Sequence, residues 1–336
     1  MTVSSRSLSG ASTPTRSRGG GFITQEVVLA LTVVGISLIV GLVNNRFLAQ
    51  QNVFDILSNS SYIAVAAIGM SMVIISGNID ISVGSLIGLL ATISGTIAVN
   101  AEASGYPLWL AFVAPLIGGM LAGAINGFLV AYLRIPAIVV SLGMLSILKG
   151  GLILWTGGEW IYNLPPAYQI AQQKIIGLPV PIYLMVILTI LGALWLRYSA
   201  TGRAIYAIGG NKEAARLSGI SERSVIMQVF IINGLMVGVA SIMFATQFNA
   251  IQSTVPSGLE LLIITAAVVG GVSILGGTGT VIGAALGAVV FHVIPSAMVF
   301  LSISPYWKQA VQGLLILITV LIDLYRRRRQ AFVGMK

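Results

Sequence analysis

Long apolar runs separated by short polar breaks fill this chain from residue 26 onward. Candidate membrane-crossing runs cover 26–43, 60–76, 82–99, 107–132, 136–155, 180–196, 224–246, 259–275, 279–300 and 307–325. A helix needs about 20 mostly apolar residues to cross roughly 30 Å of hydrocarbon, and these runs are of that order. The second and third runs are closely joined, and so are the eighth and ninth. Residues 47–58 are apolar on one side only, which predicts an interfacial helix ahead of the second span. The pattern predicts an all-α polytopic membrane protein with about ten transmembrane helices.

The hydrophilic stretch 197–223 stands out between apolar runs. Asn211 suits a helix N-cap, Glu213 falls in the first turn where the helix dipole favours an acid, and Gly219 suits the C′ position. A helix of about two turns is predicted there, with Ala214, Ala215, Leu217 and Ser218 offering a low-relief surface. Such a rigid knob suits a membrane protein that passes force to a soluble partner. The competing reading is an ordinary solvated loop helix.

Composition narrows the class. The chain is 57% hydrophobic and 8% charged, with a mean hydropathy of +0.98, which no soluble domain of this size could bury. Cysteine is absent, so disulfides, thiol nucleophiles and Cys-based metal sites are excluded. One histidine, His292, excludes the His-cluster metal centres. The net charge of +9 does not point to nucleic acid, because the basic residues flank apolar runs as topology signals do. With ten spans and both termini cytoplasmic, 14 basic residues fall inside and three outside (Arg46, Lys174, Lys308), with Lys149 inside a span. Residues 1–25 read as a disordered basic cytoplasmic tail, 26–325 as the membrane domain, and 326–336 as a second basic tail.

Three motifs carry a family resemblance. Gly77–Ser85 reads GNIDISVGS, the central loop reads GNKEAARLSGI, and Gly270–Gly283 reads GGVSILGGTGTVIG. Together they resemble the signatures of ribose-type ABC importer permeases. Asn78 stands where that family usually has a second glycine. With Arg134–Val139 (RIPAIV) and Leu154–Ile161 (LWTGGEWI), this variant is most similar to the autoinducer-2 and rhamnose importer permeases.

The resemblance implies a transport subunit of the bacterial inner membrane, not an enzyme, that translocates a monosaccharide or sugar-like molecule. It implies a second permease copy or a homologous permease, an ABC ATPase with two nucleotide-binding domains often fused in one chain, and a periplasmic or extracellular sugar-binding protein. The chain contains no Gly-Lys dipeptide, so a Walker A loop is impossible. No cofactor is therefore expected on this chain, with ATP and Mg on the partner ATPase. Carried over, the ATPase-coupling residues are Gly210, Asn211, Glu213, Ala214, Ala215, Gly219 and Ile220. Glu213 would pair with a base on the ATPase, and Ala214 and Ala215 would allow close approach.

Gly77, Asn78, Asp80, Ser82, Gly84 and Ser85 form the gate or structural signature. Irregular backbone at membrane depth is tolerated only when buried in protein or lining a water-filled cavity. Asp80 is thus a structural cap bonding the N–H groups of Ser82 and Val83, part of a gate, or a substrate ligand. Gly276–Gly283 reads as close helix packing rather than a nucleotide loop. Gly84–Gly88 also echoes Gly279–Gly283, a hint of an internal repeat. Lys149 either snorkels or packs, or serves the pathway, and His292 either packs or relays protons. Asn126, Trp155, Asn233 and Gln247 can hold a sugar if they face the bundle axis; otherwise the amides bond neighbouring helices and Trp155 joins an interfacial belt. The outer loop 156–180 is a docking surface, a lid or simply solvated. An ion-coupled secondary transporter is the alternative class, but no intramembrane carboxylate is evident beyond Asp80. A membrane enzyme would need a clustered catalytic set, and none is present.

Overall fold

The computed structural model describes residues 24–254, 258–304, 306–315, 317–318 and 321. The two predicted basic tails, with Arg326–Arg329, lie outside these residues apart from positions 24 and 25. Among the described residues the α-helices are α1 (Gln25–Val43), α2 (Gln50–Ile75), α3 (Val83–Ser104), α4 (Leu110–Ala131), α5 (Ala137–Thr156), α6 (Val180–Tyr198), α7 (Ala200–Gly210), α8 (Lys212–Leu217), α9 (Glu222–Ala245), α10 (Leu259–Val269) and α11 (Val281–Phe300). Eight of them are long and apolar enough to cross a membrane; α7, α8 and the short apolar α10 are not. Helical residues resume over 307–315, where the tenth predicted run begins. A two-stranded antiparallel hairpin, Lys174–Ile175 with Leu178–Pro179, precedes α6.

Helix α2 is the axis of the core. Its residues Ile63 to Ile75 are buried without exception, and α9, α10 and α11 pack around it. Helices α1, α5 and α6 lie at the periphery, with apolar side chains turned outward. In water such faces would be unstable; in lipid they are the solvated surface. The closest helix pair is α4 with α9. A Cβ on Gly119 or Gly123 would overlap the carbonyl oxygens of Gly234 or Phe230, so only glycine permits this approach.

Two predicted boundaries are corrected. Residues 47–58 do not form a separate interfacial helix: a short 3-10 turn, Asn45–Leu48, is followed by α2, which runs unbroken from Gln50. No glycine or proline separates the polar first turns from the buried span, so the helix continues. The eighth run stops at Val269, not 275. Gly271, at φ +95°, takes the left-handed C′ position; its N–H bonds Val268 O and that of Val272 bonds Ala267 O, which closes the helix.

Between α9 and α10 the described residues 246–254 and 258 are non-helical. Ile251 packs on Gly95 and Glu260 on Gly84, glycines separated by about 16 Å along α3. The backbone of Ile251 exchanges both hydrogen bonds with Ile161 at 2.9 Å, and Ser253 Oγ donates to Glu159 O. This segment and the outer loop thereby satisfy each other's polar groups, as irregular backbone away from water requires.

Candidate functional site

The central stretch folds into two helices rather than one. Ser199 caps α7 by accepting from Gly202 N at 2.8 Å, and α7 ends at Gly210. One residue later, Asn211 Oδ1 accepts from Ala214 N at 3.0 Å and opens α8. Gly219, at φ +78°, closes it: its N–H bonds Arg216 O and that of Ile220 bonds Ala215 O, both at 3.0 Å. With both ends satisfied, a helix of six residues is held firmly despite its length.

The faces of α8 differ. Ala215 is buried and Ile220 partly buried, so these two seat the helix on the bundle. The expectation that Ala215 offers close approach to a partner is therefore corrected: a docking face has to use Ala214, Leu217 and Ser218. Leu217 is 80% exposed, a large apolar side chain held out on a rigid knob. Glu213 pairs with Arg216 at 2.6 Å, and Lys212 with Glu222 of α9 at 3.1 Å. At the root of α8 lies a cleft of about 460 Å³ bordered by Asn78, Arg134, Lys212, Glu222 and Arg223. Glu213 lines it too; this carboxylate and that of Glu222 are in ion pairs, while Arg134 and Arg223 form none among the described residues, so the recess is electropositive.

The signature motif builds a helix break. Gly77, at φ +83°, takes the C′ position of α2, with Gly77 N bonding Ile74 O and Asn78 N bonding Val73 O. Asn78 Nδ2 reaches back to Ser76 Oγ at 3.1 Å. Asp80 is buried, and its Oδ1 accepts from Ser82 N at 3.0 Å and Ser82 Oγ at 2.6 Å, just ahead of α3. Its Oδ2 accepts from Asn233 Nδ2 at 3.0 Å, and Asn126 Nδ2 donates to Ser82 Oγ at 3.0 Å. Asp80 thus ties the break to α9 directly and to α4 through Ser82. Among the described residues no bond from Val83 N to Asp80 accompanies these. Gly84 faces Glu260, and Ser85 is buried in the first turn of α3.

The four residues considered for the substrate pathway are not brought together. Asn126 and Asn233 are both buried in the Asp80 network, where they act as helix-to-helix ties. Trp155 is exposed near the end of α5. Gln247 Nε2 donates to Asn59 Oδ1 at 2.6 Å near the outer loop. His292 Nδ1 bonds Ala288 O at 3.0 Å, four residues earlier on the same helix, which accounts for its polarity locally. Lys149 forms no ion pair among the described residues.

The outer loop is folded rather than loosely solvated. Leu164, Tyr168 and Ala171 are buried, Tyr168 OH lies 2.6 Å from Ser94 Oγ, and Gln172 Nε2 donates to Asn249 Oδ1 at 2.9 Å. Burial pushes the Tyr168 hydroxyl pKa up, so it stays protonated as a bridge. Sequence reasoning missed Glu260, a second carboxylate set into the bundle, in the first turn of α10. Its signal was an acid two residues after Gly258, at the head of an apolar run. It also missed Tyr206 of α7, whose hydroxyl donates to Gly279 O at 2.7 Å.

Residues 52–320 match the family described as "Branched-chain amino acid transport system / permease component". The chain belongs to that permease family. The permease is also 38% identical over 300 residues to the autoinducer 2 import system permease protein LsrC of Escherichia coli (strain K12 / DH10B), covering 89% of this chain and 86% of that one. Its similarity to the LsrC proteins of Salmonella typhi (39%, 89% and 85% covered) and Shigella flexneri (38%, 89% and 86%) is of the same order. No solved structure matches it significantly. The permease is accordingly a multi-pass membrane transport subunit of an ABC-type importer and not itself an enzyme.

Proposed function

We propose that the permease forms the translocation pathway for autoinducer 2 or a close sugar-like molecule, driven by a separate ATPase that docks on α8 and fed by an extracytoplasmic binding protein. The observation that carries the coupling part is the doubly capped α8, with Leu217 held out from a helix seated on buried Ala215. A partner closing over this knob would bury Leu217, and acidic side chains of that partner would find Arg134 and Arg223 in the adjoining cleft. The substrate part rests on the autoinducer 2 import permeases being similar along nearly nine-tenths of the chain. The second permease in the assembly is a copy of this chain or a homologue of it.

The test is purification through a tag on this chain in mild detergent, followed by identification of what accompanies it. An ATPase with duplicated nucleotide-binding domains is expected, and the assembly should take up autoinducer 2 into vesicles only with ATP. Uptake of ribose, rhamnose or a branched-chain amino acid in preference to autoinducer 2 would overturn the substrate. Uptake that follows an ion gradient without ATP would overturn the whole reading.

A further inference from the structure

Two helix breaks, at 76–82 and 270–280, reach the end of α7 and meet it backbone to backbone. Gly277 N donates to Ile75 O at 2.8 Å, joining the second break to the end of α2. Gly209 packs into the same point: a Cβ there would overlap Ile75 O and lie 2.6 Å from Gly277 N. A Cβ on Gly276 would lie 3.0 Å from Gly209 O and 3.1 Å from Gly77 Cα, and one on Gly277 would lie 2.8 Å from Gly210 Cα. Three chain segments thus touch with no side chain between them. Tyr206 adds a side-chain tie, from its hydroxyl to Gly279 O at 2.7 Å.

We infer that this three-way glycine contact is the positioning joint that carries movement of α8 into the membrane bundle. The inference rests on the coupling reading of α8 and adds where its motion goes. Only Asn211 separates α8 from Gly210, so displacing α8 displaces the end of α7 with it. Side chains can absorb a small shift by changing rotamer, but backbone packed on backbone cannot. The joint touches both breaks at once. From the first, Asp80 leads to α9 and, through Ser82, to α4; from the second, Thr280 leads into α11. A single push at α8 therefore reaches both halves of the bundle.

The test uses the whole importer in liposomes, with ATP hydrolysis and autoinducer 2 uptake measured together. The readout is molecules transported per ATP hydrolysed, which a merely structural fault would not change in the complexes that do assemble. Tyr206→Phe removes one hydrogen bond without crowding, and should lower that ratio about threefold. Gly209→Ala drives a methyl into the joint and should lower it at least about tenfold while hydrolysis persists. Gly150→Ala, where a Cβ meets nothing within 4 Å, is the neutral control. An unchanged ratio in both Tyr206→Phe and Gly209→Ala overturns the joint. Should Gly209→Ala fail to assemble, Tyr206→Phe alone decides. Leu217→Asp separates the two levels: if it remains fully active the coupling reading itself falls, whereas if it is inactive and the joint variants keep a normal ratio, only the joint falls.

Discussion

The two helix breaks solve the same local problem and are anchored in opposite ways. Each begins with a left-handed glycine, Gly77 or Gly271, that closes the preceding helix, and each leads within a dozen residues into another long helix. The first then turns inward. Asp80 is buried, bonds Ser82 twice, and reaches Asn233 across the core. The second has no carboxylate of its own and stays nearer the surface, with Leu275 63% exposed. Its backbone meets the end of α2 through Gly277 N and Ile75 O at 2.8 Å, while side-chain ties reach the periphery: Thr280 Oγ1 donates to Glu26 at 2.7 Å, Gln25 Nε2 bonds Val269 O at 3.5 Å, and Tyr206 holds Gly279. A break fastened to α9 by a buried carboxylate and to α4 through Ser82 is a fixed point; the second, beyond its backbone bond to the end of α2, is held by side chains of α1 and α7. Local opening is expected where few buried contacts hold a segment.

Removing the fixed point should have the largest effect. Asp80→Ala strips acceptors from Ser82 N and Asn233 Nδ2 inside the core, a loss of about 2–5 kcal/mol. Thermal unfolding in detergent and the amount of protein in the membrane should both fall sharply, and a variant as stable as the parent would erase the distinction between the breaks. Asn233→Ala should follow at about 1–3 kcal/mol, because one buried carboxylate oxygen then loses its donor. Thr280→Ala removes the N-cap of α11 and the link to Glu26, and should cost about 1 kcal/mol by the same measurement. Leu275→Ser, on the exposed side of the second break, should leave unfolding within about 0.5 kcal/mol of the parent. Thr280→Ala proving more damaging than Asp80→Ala would invert the comparison.

Much of this architecture was legible in local pattern. Runs of apolar residues place the long helices, and Asn211, Glu213 and Gly219 mark α8 because capping depends on residues only a few positions apart. Helix α7 was hidden: its buried residues Gly202, Ile205 and Ile208 form one short stripe among basic and small residues, too brief to register as a period. The side of α8 that faces inward was also hidden, since Ala214 and Ala215 are chemically identical and only the seating of the helix separates them. Asp80 was recognisable as a capping acid, but its bond to Asn233 joins residues 153 positions apart, which no local pattern encodes. Asn126 and Asn233 were weighed as sugar contacts or as helix ties for that reason. Both are buried and donate through Nδ2 to Ser82 and Asp80, as ties do, while each Oδ1 has no partner among the described residues. Glu260 went unremarked because one acid at the head of an apolar run looks like an ordinary first-turn residue.

The central claim is that α8 receives the work of ATP hydrolysis. The most direct test places the assembled importer in liposomes and compares ATP-driven uptake of autoinducer 2 by the parent and by Leu217→Asp, with tagged permease measured in the membrane for both. Leu217 is exposed, so the substitution leaves the fold intact, and the account predicts normal permease levels, loss of the ATPase on purification and an uptake reduced at least about tenfold. Full ATP-driven uptake by Leu217→Asp would contradict it.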